Sequence, residues 1–218
     1  MALADYIGRF WTGAEVMYGV IIAMTFTSML RGSPAVFGQV VFTIIFAALF
    51  CCIAWGIADG LFYFWERGYL IRQQNRIIQL AKSPQREESA LVLIEEQLGD
   101  TILKTVPRER RLRLYRDLVQ YIATVDEREK MPARVAITII AGTFCLSAGA
   151  GLIIVSPFFL VPDVSLALKI SNIAGILLLF GIGYLRARDD PVPSKVLFGL
   201  GSAFIGILIA GITIVLGG

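Results

Sequence analysis

The 218-residue sequence contains no histidine, few charged residues and only three cysteines. The absence of histidine removes the side chain that most often carries protons near neutral pH and binds metals. The cysteines, Cys51, Cys52 and Cys145, all lie inside apolar runs, which favours a packing role over a disulfide or a metal site. Charged residues make up 17% of the chain, whereas a soluble domain has about 25%. The composition is therefore not typical of a soluble globular domain.

Most of the charge is concentrated in one segment. Residues 66–134 hold 14 of the 20 Lys and Arg and 11 of the 17 Asp and Glu, and long apolar runs fill most of the remaining chain. This pattern predicts an all-α integral membrane protein with five transmembrane helices and a cytoplasmic helical insert between spans 2 and 3. The net charge of +3 is too small and too scattered to indicate a nucleic-acid partner.

Apolar runs of about 20 residues define the predicted spans. They cover residues 16–30, 36–65, 135–159, 164–185 and 196–217. The first is short but can be extended backwards through Trp11, and the second is expected to continue as a helix to about Lys82. The chain is thereby divided into an interfacial N-terminal helix over 1–15, transmembrane helices 1 and 2 over 16–66, the insert over 67–134, and transmembrane helices 3 to 5 over 135–218. Thr143, Ser147 and Gly151 share one face of span 3, which favours close helix packing.

The distribution of Lys and Arg predicts the orientation of the chain. The insert is rich in both, and the loop between spans 4 and 5 contains Arg186, Arg188 and Lys195. Because positively charged loops stay in the cytoplasm, the insert and this loop are predicted to be cytoplasmic. The N-terminus is then cytoplasmic and the C-terminus outside.

Asp59 is the one carboxylate inside the predicted spans, in the stretch AWGIADGLFYFWERG at 54–68. The aromatic residues that follow, Phe62 to Trp65, are typical of a membrane interface. A charge within a span is costly and indicates a function. Two interpretations are open: Asp59 is an ion or proton site, or it is structural, through a bond to Thr25 or Thr27 of span 1 or at a helix end.

Two predicted helices of the insert carry opposite charge. The first follows Ser83 and Pro84, ends before Gly99, and bears Glu87, Glu88, Glu95 and Glu96. The second follows Pro107 and bears Arg108, Arg110, Arg111, Arg113 and Arg116. The arginines are interpreted either as a surface that binds anionic lipid or as a partner for the acidic helix that holds the insert shut until an ion competes.

The layout resembles the vacuolar iron transporter family over almost the whole chain. The local resemblance lies in MYGVIIAMTFTSMLRG at 17–32 and AWGIADGLFYFWERGYLIRQQNR at 54–76, which look like a divergent prokaryotic branch. The resemblance implies a homodimer, in a prokaryotic inner membrane, that exchanges Fe²⁺ or Mn²⁺ for protons along a pore between subunits. Span 1 here lacks the acid that this family carries in an NDG-like stretch.

The resemblance also implies the site residues. The transport path would use Asp59, Met24, Thr25, Thr27, Ser28 and Met29, and metal would be gathered by Glu87, Glu88, Glu95 and Glu96. No covalently bound cofactor is implied, and the divalent metal is the substrate. The lipid bilayer, and anionic lipid at the arginines of the insert, are the expected partners.

Three functions are compared on this basis. The first is a divalent metal ion transporter, working by proton antiport in a homodimer. The alternative is a protein of the same fold without metal transport, a scaffold or sensor acting through its basic insert, which the missing acid of span 1 favours. An enzyme is not expected, because the insert shows no paired acids, no Ser/His or Cys/His set and no glycine-rich phosphate loop.

Overall fold

The computed structural model describes residues 3–30, 38–129 and 131–215. Its regular secondary structure is helical, with no strand in those ranges. The helices are α1 (Ala4–Ile7), α2 (Arg9–Ser28), α3 (Gly38–Ala81), α4 (Glu87–Leu98), α5 (Arg108–Ile122), α6 (Ala133–Val155), α7 (Pro157–Leu160), α8 (Val164–Arg186) and α9 (Val192–Val215).

Five of these helices, α2, α3, α6, α8 and α9, are long and apolar enough to cross a membrane. The predicted all-helical fold with five such helices is confirmed for the described residues. The helical period after Trp65 also predicted the length of α3, which continues to Ala81. Arg31 and the predicted start of span 2 at Val36 lie outside the described residues.

The first spanning helix is longer than predicted at its N-terminal end. Gly8 has a φ of 83° and separates α1 from α2, a backbone conformation that glycine adopts without strain. Residues 9–15, which were assigned from the sequence to an interfacial helix, form the first two turns of α2. Glu15 therefore lies within a helix that can span a membrane.

The described residues form two compact units. Unit 1 contains the residues up to Phe64 and those from Ala133 onward, and unit 2 contains Trp65–Pro132. In unit 1, α2 packs against α6, α8 and α9. Its core is apolar and includes Val20, Met24, Ile45, Ile154 and Leu179. Since α2 contacts three of the other long helices, its buried side chains lie at the centre of unit 1.

Glycines bring α2 and α3 of unit 1 into close contact with α6. A Cβ atom on Gly56 would lie 2.8 Å from Cα of Phe144, and one on Gly19 would overlap the carbonyl oxygen of Ser147. Ser147 and Thr143 are both fully buried. The small-residue face that was predicted on span 3 is therefore the surface on which the two helices pack, as expected where helices approach closely.

Unit 2 has a small core of its own. Its two 3₁₀ turns, Pro84–Arg86 and Ile102–Thr105, precede α4 and α5, and α4 packs against α5. The buried residues are Ile77, Ala81, Ala90, Ile94, Tyr115 and Val119. The side-chain amide of Asn75 fixes the segment after α5. It donates to the carbonyl oxygen of Arg128 at 2.9 Å and accepts from the Arg128 N–H at 2.8 Å.

Tyr115 offers a test of this core. Its side chain is fully buried, and its hydroxyl has no hydrogen-bond partner among the described residues. Burying an unpaired hydroxyl costs free energy, so Tyr115→Phe is expected to raise the free energy of unfolding by about 1 kcal/mol. A rise in the melting temperature of the purified protein in detergent would report this gain in stability.

The matched control is Tyr121→Phe, because Tyr121 lies on the same helix with 69% of its side chain exposed. That variant is expected to have the same melting temperature as the wild type. A lower melting temperature for Tyr115→Phe alone would mean that the Tyr115 hydroxyl has a partner that the packing of unit 2 does not reveal.

Candidate functional site

Glu15 is a fully buried carboxylate on α2. It lies four residues before Gly19 and eight before Ala23, and these residues and Thr27 form one buried face of the helix. Four-residue spacing places side chains on the same side of a helix. Glu15 is therefore buried because it lies on the same face of α2 as Gly19 and Ala23, and this face packs inside unit 1.

In the part of the chain that the structure describes, one oxygen of the Glu15 carboxyl has a hydrogen-bond donor and the other has none. The Tyr63 hydroxyl of α3 donates to Oε1 of Glu15 at 3.1 Å. Oε2 is also buried, and no donor among the described residues reaches it. A buried carboxylate oxygen without a partner is unfavourable, so a proton or a cation at Oε2 would stabilise this site.

Asp59 of α3 lies beside Glu15. Its carboxyl interacts with the Glu15 carboxyl and with the indole of Trp55, one helical turn earlier. Asp59 is half-buried, whereas Glu15 is inaccessible, so Asp59 is the member of the pair that reaches the surface of unit 1. Two carboxylates side by side repel each other when both are charged, and a shared proton or a bound cation removes that repulsion.

A comparison with protein-family models, with curated proteins and with solved structures found no match to this chain. The resemblance to the vacuolar iron transporter family stays a prediction.

Two pairs of aromatic rings join α2 to α3 close to Glu15 and Asp59 in the sequence. The ring centroids of Trp11 and Tyr63 are 6.1 Å apart, and those of Tyr18 and Trp55 are also 6.1 Å apart. Each ring pair joins α2 to α3, which fixes the two helices at the level of Glu15 and Asp59. The geometry of the carboxylate pair is thus held by packing as well as by the Tyr63 hydrogen bond.

The predicted path residues of α2 do not join this pair. Met24 to Ser28 lie nine to thirteen residues beyond Glu15, which is roughly 14–20 Å along the helix axis. Met24 is buried with its sulfur against Gly175, and Met29 is exposed. Ser28 is buried, and its hydroxyl has no partner among the described residues.

Thr25 and Thr27, the two threonines of the predicted path, bond to the backbone of their own helix. Thr25 donates to the carbonyl of Ile21 at 2.8 Å, and Thr27 donates to that of Ala23 at 2.9 Å. The bond from Asp59 to Thr25 or Thr27, which the sequence left open, is therefore wrong. The residue of α2 that Asp59 contacts is the buried Glu15.

The four glutamates of α4 are not gathered into one cluster. Glu87, Glu88 and Glu96 are exposed, and Glu95 lies 4.0 Å from Arg111 of α5. Among the described residues, no three Asp, Glu, Cys or His side chains come together as a metal-binding group. The metal-gathering role of these glutamates stays a prediction.

The arginines of α5 divide into two groups. Arg111 is largely buried and pairs with Glu95, which is one contact of the kind expected if the basic helix is a partner of the acidic one. Arg108, Arg110, Arg113 and Arg116 are exposed, and no ion pair among the described residues involves them. They form a basic surface on unit 2.

Glu15 was missed from the sequence because it lies at the polar edge of an apolar run. Arg9 precedes it by six residues, so hydropathy places the start of the apolar stretch after Glu15 and leaves Asp59 as the one carboxylate within the predicted spans. That was wrong, since α2 begins at Arg9 and encloses Glu15. The signal that could have identified it is the series Glu15, Gly19, Ala23 and Thr27 at four-residue spacing.

Proposed function

We propose that the protein is a proton-coupled antiporter of divalent metal ions, iron or manganese, and that Glu15 and Asp59 form its ion-binding site. The supporting observation is the buried oxygen Oε2 of Glu15, which has no donor among the described residues and lies beside a second carboxylate. An ionisable group within a spanning helix indicates function. A carboxylate pair also offers the hard oxygen ligands that such cations bind.

The pair supports exchange because it holds either a shared proton or a divalent cation, and not both at once. With a shared proton, the pair carries one negative charge and the repulsion between its carboxyl groups is relieved. A divalent cation bound by both carboxylates requires both to be ionised, so the proton must leave when the cation binds. Tyr63 holds Glu15 in place for either state through its bond to Oε1.

The remaining features of the proposal come from the charge distribution and the resemblance. Unit 2 is the cytoplasmic insert, because it carries most of the Lys and Arg of the chain and positive segments stay in the cytoplasm. The protein functions as a homodimer in a prokaryotic inner membrane, and the glutamates of α4 gather the metal.

The test is uptake of Mn²⁺ or Fe²⁺ by proteoliposomes containing the purified protein. An acidic lumen is expected to drive metal inward, since protons leave as metal enters. Uptake should fall to the protein-free background when a protonophore collapses the gradient. The internal pH, followed with a trapped dye, should rise as metal enters.

Absence of uptake for every divalent ion tested would overturn the proposal. It would favour a scaffold or sensor that acts through the exposed arginines of α5, which is the alternative that the basic surface supports. The same preparation then decides between the two, because a sensor of this kind would bind vesicles with anionic lipid and lose that binding when the four exposed arginines are replaced by glutamine.

A further inference from the structure

A basic cavity lies at the end of unit 1 where α2 begins and α8 ends. It has a volume of about 460 Å³ and is lined by Arg9, Arg186 and Arg188, with one carboxylate, Asp189. No ion pair among the described residues involves any of the three arginines. The cavity wall therefore carries an excess of positive charge with no protein anion bound to it.

Arg186 is positioned by contacts that leave its charge unneutralised. Its Cζ lies 3.6 Å from the centre of the Phe10 ring, and its Nη1 donates to Sδ of Met17 at 3.2 Å. Its aliphatic stem passes over Gly13, where a Cβ atom would lie 3.0 Å from both Cγ and Cδ of Arg186. An aromatic face and a thioether are weak partners for a half-buried guanidinium, whereas a phosphate makes strong, paired hydrogen bonds with it.

The start of α2 adds a second group that favours an anion. Gly8 precedes the helix and provides no side-chain cap, so the first backbone N–H groups of this 20-residue helix are left for a ligand. Arg9, Phe10 and Thr12 of the same turns line the cavity. A helix N-terminus carries partial positive charge and binds phosphate.

Part of the cavity lining is apolar. It is formed by Val16, Leu146, Ile182 and Leu185, which belong to helices long and apolar enough to cross a membrane. A free phosphate ion makes no use of such a wall. A phospholipid does, because its acyl chains can lie along these residues while the phosphate meets the arginines.

We propose that this cavity binds the phosphate group of an anionic phospholipid, with Arg9, Arg186 and Arg188 as its cationic ligands. By the positive-inside rule this end of the helices faces the cytoplasmic leaflet, where anionic lipids concentrate. The site is separate from the Glu15–Asp59 pair, so it can exist whether or not the protein transports metal.

The experiment is native mass spectrometry of the full-length protein in detergent, titrated with phosphatidylglycerol or with zwitterionic phosphatidylcholine. The wild type is expected to bind phosphatidylglycerol about tenfold more tightly, because this lipid carries a net negative charge, whereas the choline ammonium of phosphatidylcholine offsets the charge of its phosphate and is repelled by the arginines. The double variant Arg186→Gln with Arg188→Gln should lose this preference. The matched control is Arg134→Gln, an exposed arginine of unit 1 on α6 outside the cavity, which should keep it.

Three results would overturn the proposal. Equal binding of the two lipids by the wild type would show that the cavity does not recognise anionic lipid. An equal loss of preference in Arg134→Gln would show that general surface charge attracts the lipid. Full competition by inorganic phosphate at equal concentration would identify a site for free phosphate instead. If the double variant does not fold, Arg188→Gln alone gives the same comparison, since Arg188 is exposed.

Discussion

Glu15→Gln and Asp59→Asn are each expected to abolish proton-driven uptake of Mn²⁺ while leaving the protein folded. A neutral amide resembles the protonated carboxyl in shape, but it can neither release a proton nor supply negative charge to a cation. A loss of about 1.4 kcal/mol of ion binding already lowers occupancy about tenfold below saturation, and removing one of two carboxylates should exceed that. The initial rate of radiolabelled Mn²⁺ uptake into acid-loaded proteoliposomes is the measurement.

Glu66→Gln is the matched control for these variants. Glu66 is a carboxylate of the same helix as Asp59, but it is exposed, and its replacement should leave the uptake rate unchanged. If Glu15→Gln and Asp59→Asn both transport at the wild-type rate, the pair is not on the transport path. Loss of transport in Glu66→Gln as well would point to a general effect of charge on the helix.

Gly56→Val is expected to be among the most destabilising single substitutions in unit 1. A Cβ atom at this position would lie 2.8 Å from Cα of Phe144 and 2.9 Å from the carbonyl oxygen of Thr143. Both are backbone atoms of α6, so a rotamer change cannot relieve the clash and the helices must move apart. We expect a loss of about 3 kcal/mol, the upper end for overpacking, measured by unfolding in mixed micelles.

Gly201→Val on α9 provides the comparison, because a Cβ atom there has no neighbour within 4 Å. That variant should change the free energy of unfolding by less than about 0.5 kcal/mol. Equal unfolding curves for the two variants would mean that α3 and α6 are not in close contact at Gly56. Because Asp59 is one turn further along α3, Gly56→Val should also impair the carboxylate pair.

The all-helical fold was predictable because it depends on properties that neighbouring residues share. Long apolar runs determine the five long helices, and local backbone chemistry places Gly99 at the end of α4 and Pro107 at the start of α5. Pro84, predicted at the start of the acidic helix, instead opens the 3₁₀ turn that precedes α4. The bounds were less predictable at α2. There, the polar residues Arg9 and Glu15 belong to the helix because tertiary packing buries Glu15, which hydropathy alone does not reveal.

Only one of the two carboxylates of the candidate site, Asp59, could be predicted from the sequence. Asp59 was found because it stands inside an apolar run, where a charge is conspicuous. Its pairing with Glu15 joins positions 44 residues apart in the sequence and depends on how α2 packs against α3. The hydroxyls of Thr25 and Thr27 could equally have faced a neighbouring helix, and the sequence does not reveal that they bond to their own backbone.

The small number of polar side chains around Glu15 and Asp59 determines how an ion would be held there. Among the described residues, the polar side chains that interact with the two carboxyl groups are Tyr63 and Trp55. Neither an indole nor a phenol that already donates to Glu15 replaces water around a metal. Since divalent cations bind about six or more oxygen atoms, an ion at Glu15 and Asp59 would keep much of its hydration shell. Such a site distinguishes ions by charge and by the cost of partial dehydration, rather than by a close fit to one ionic radius.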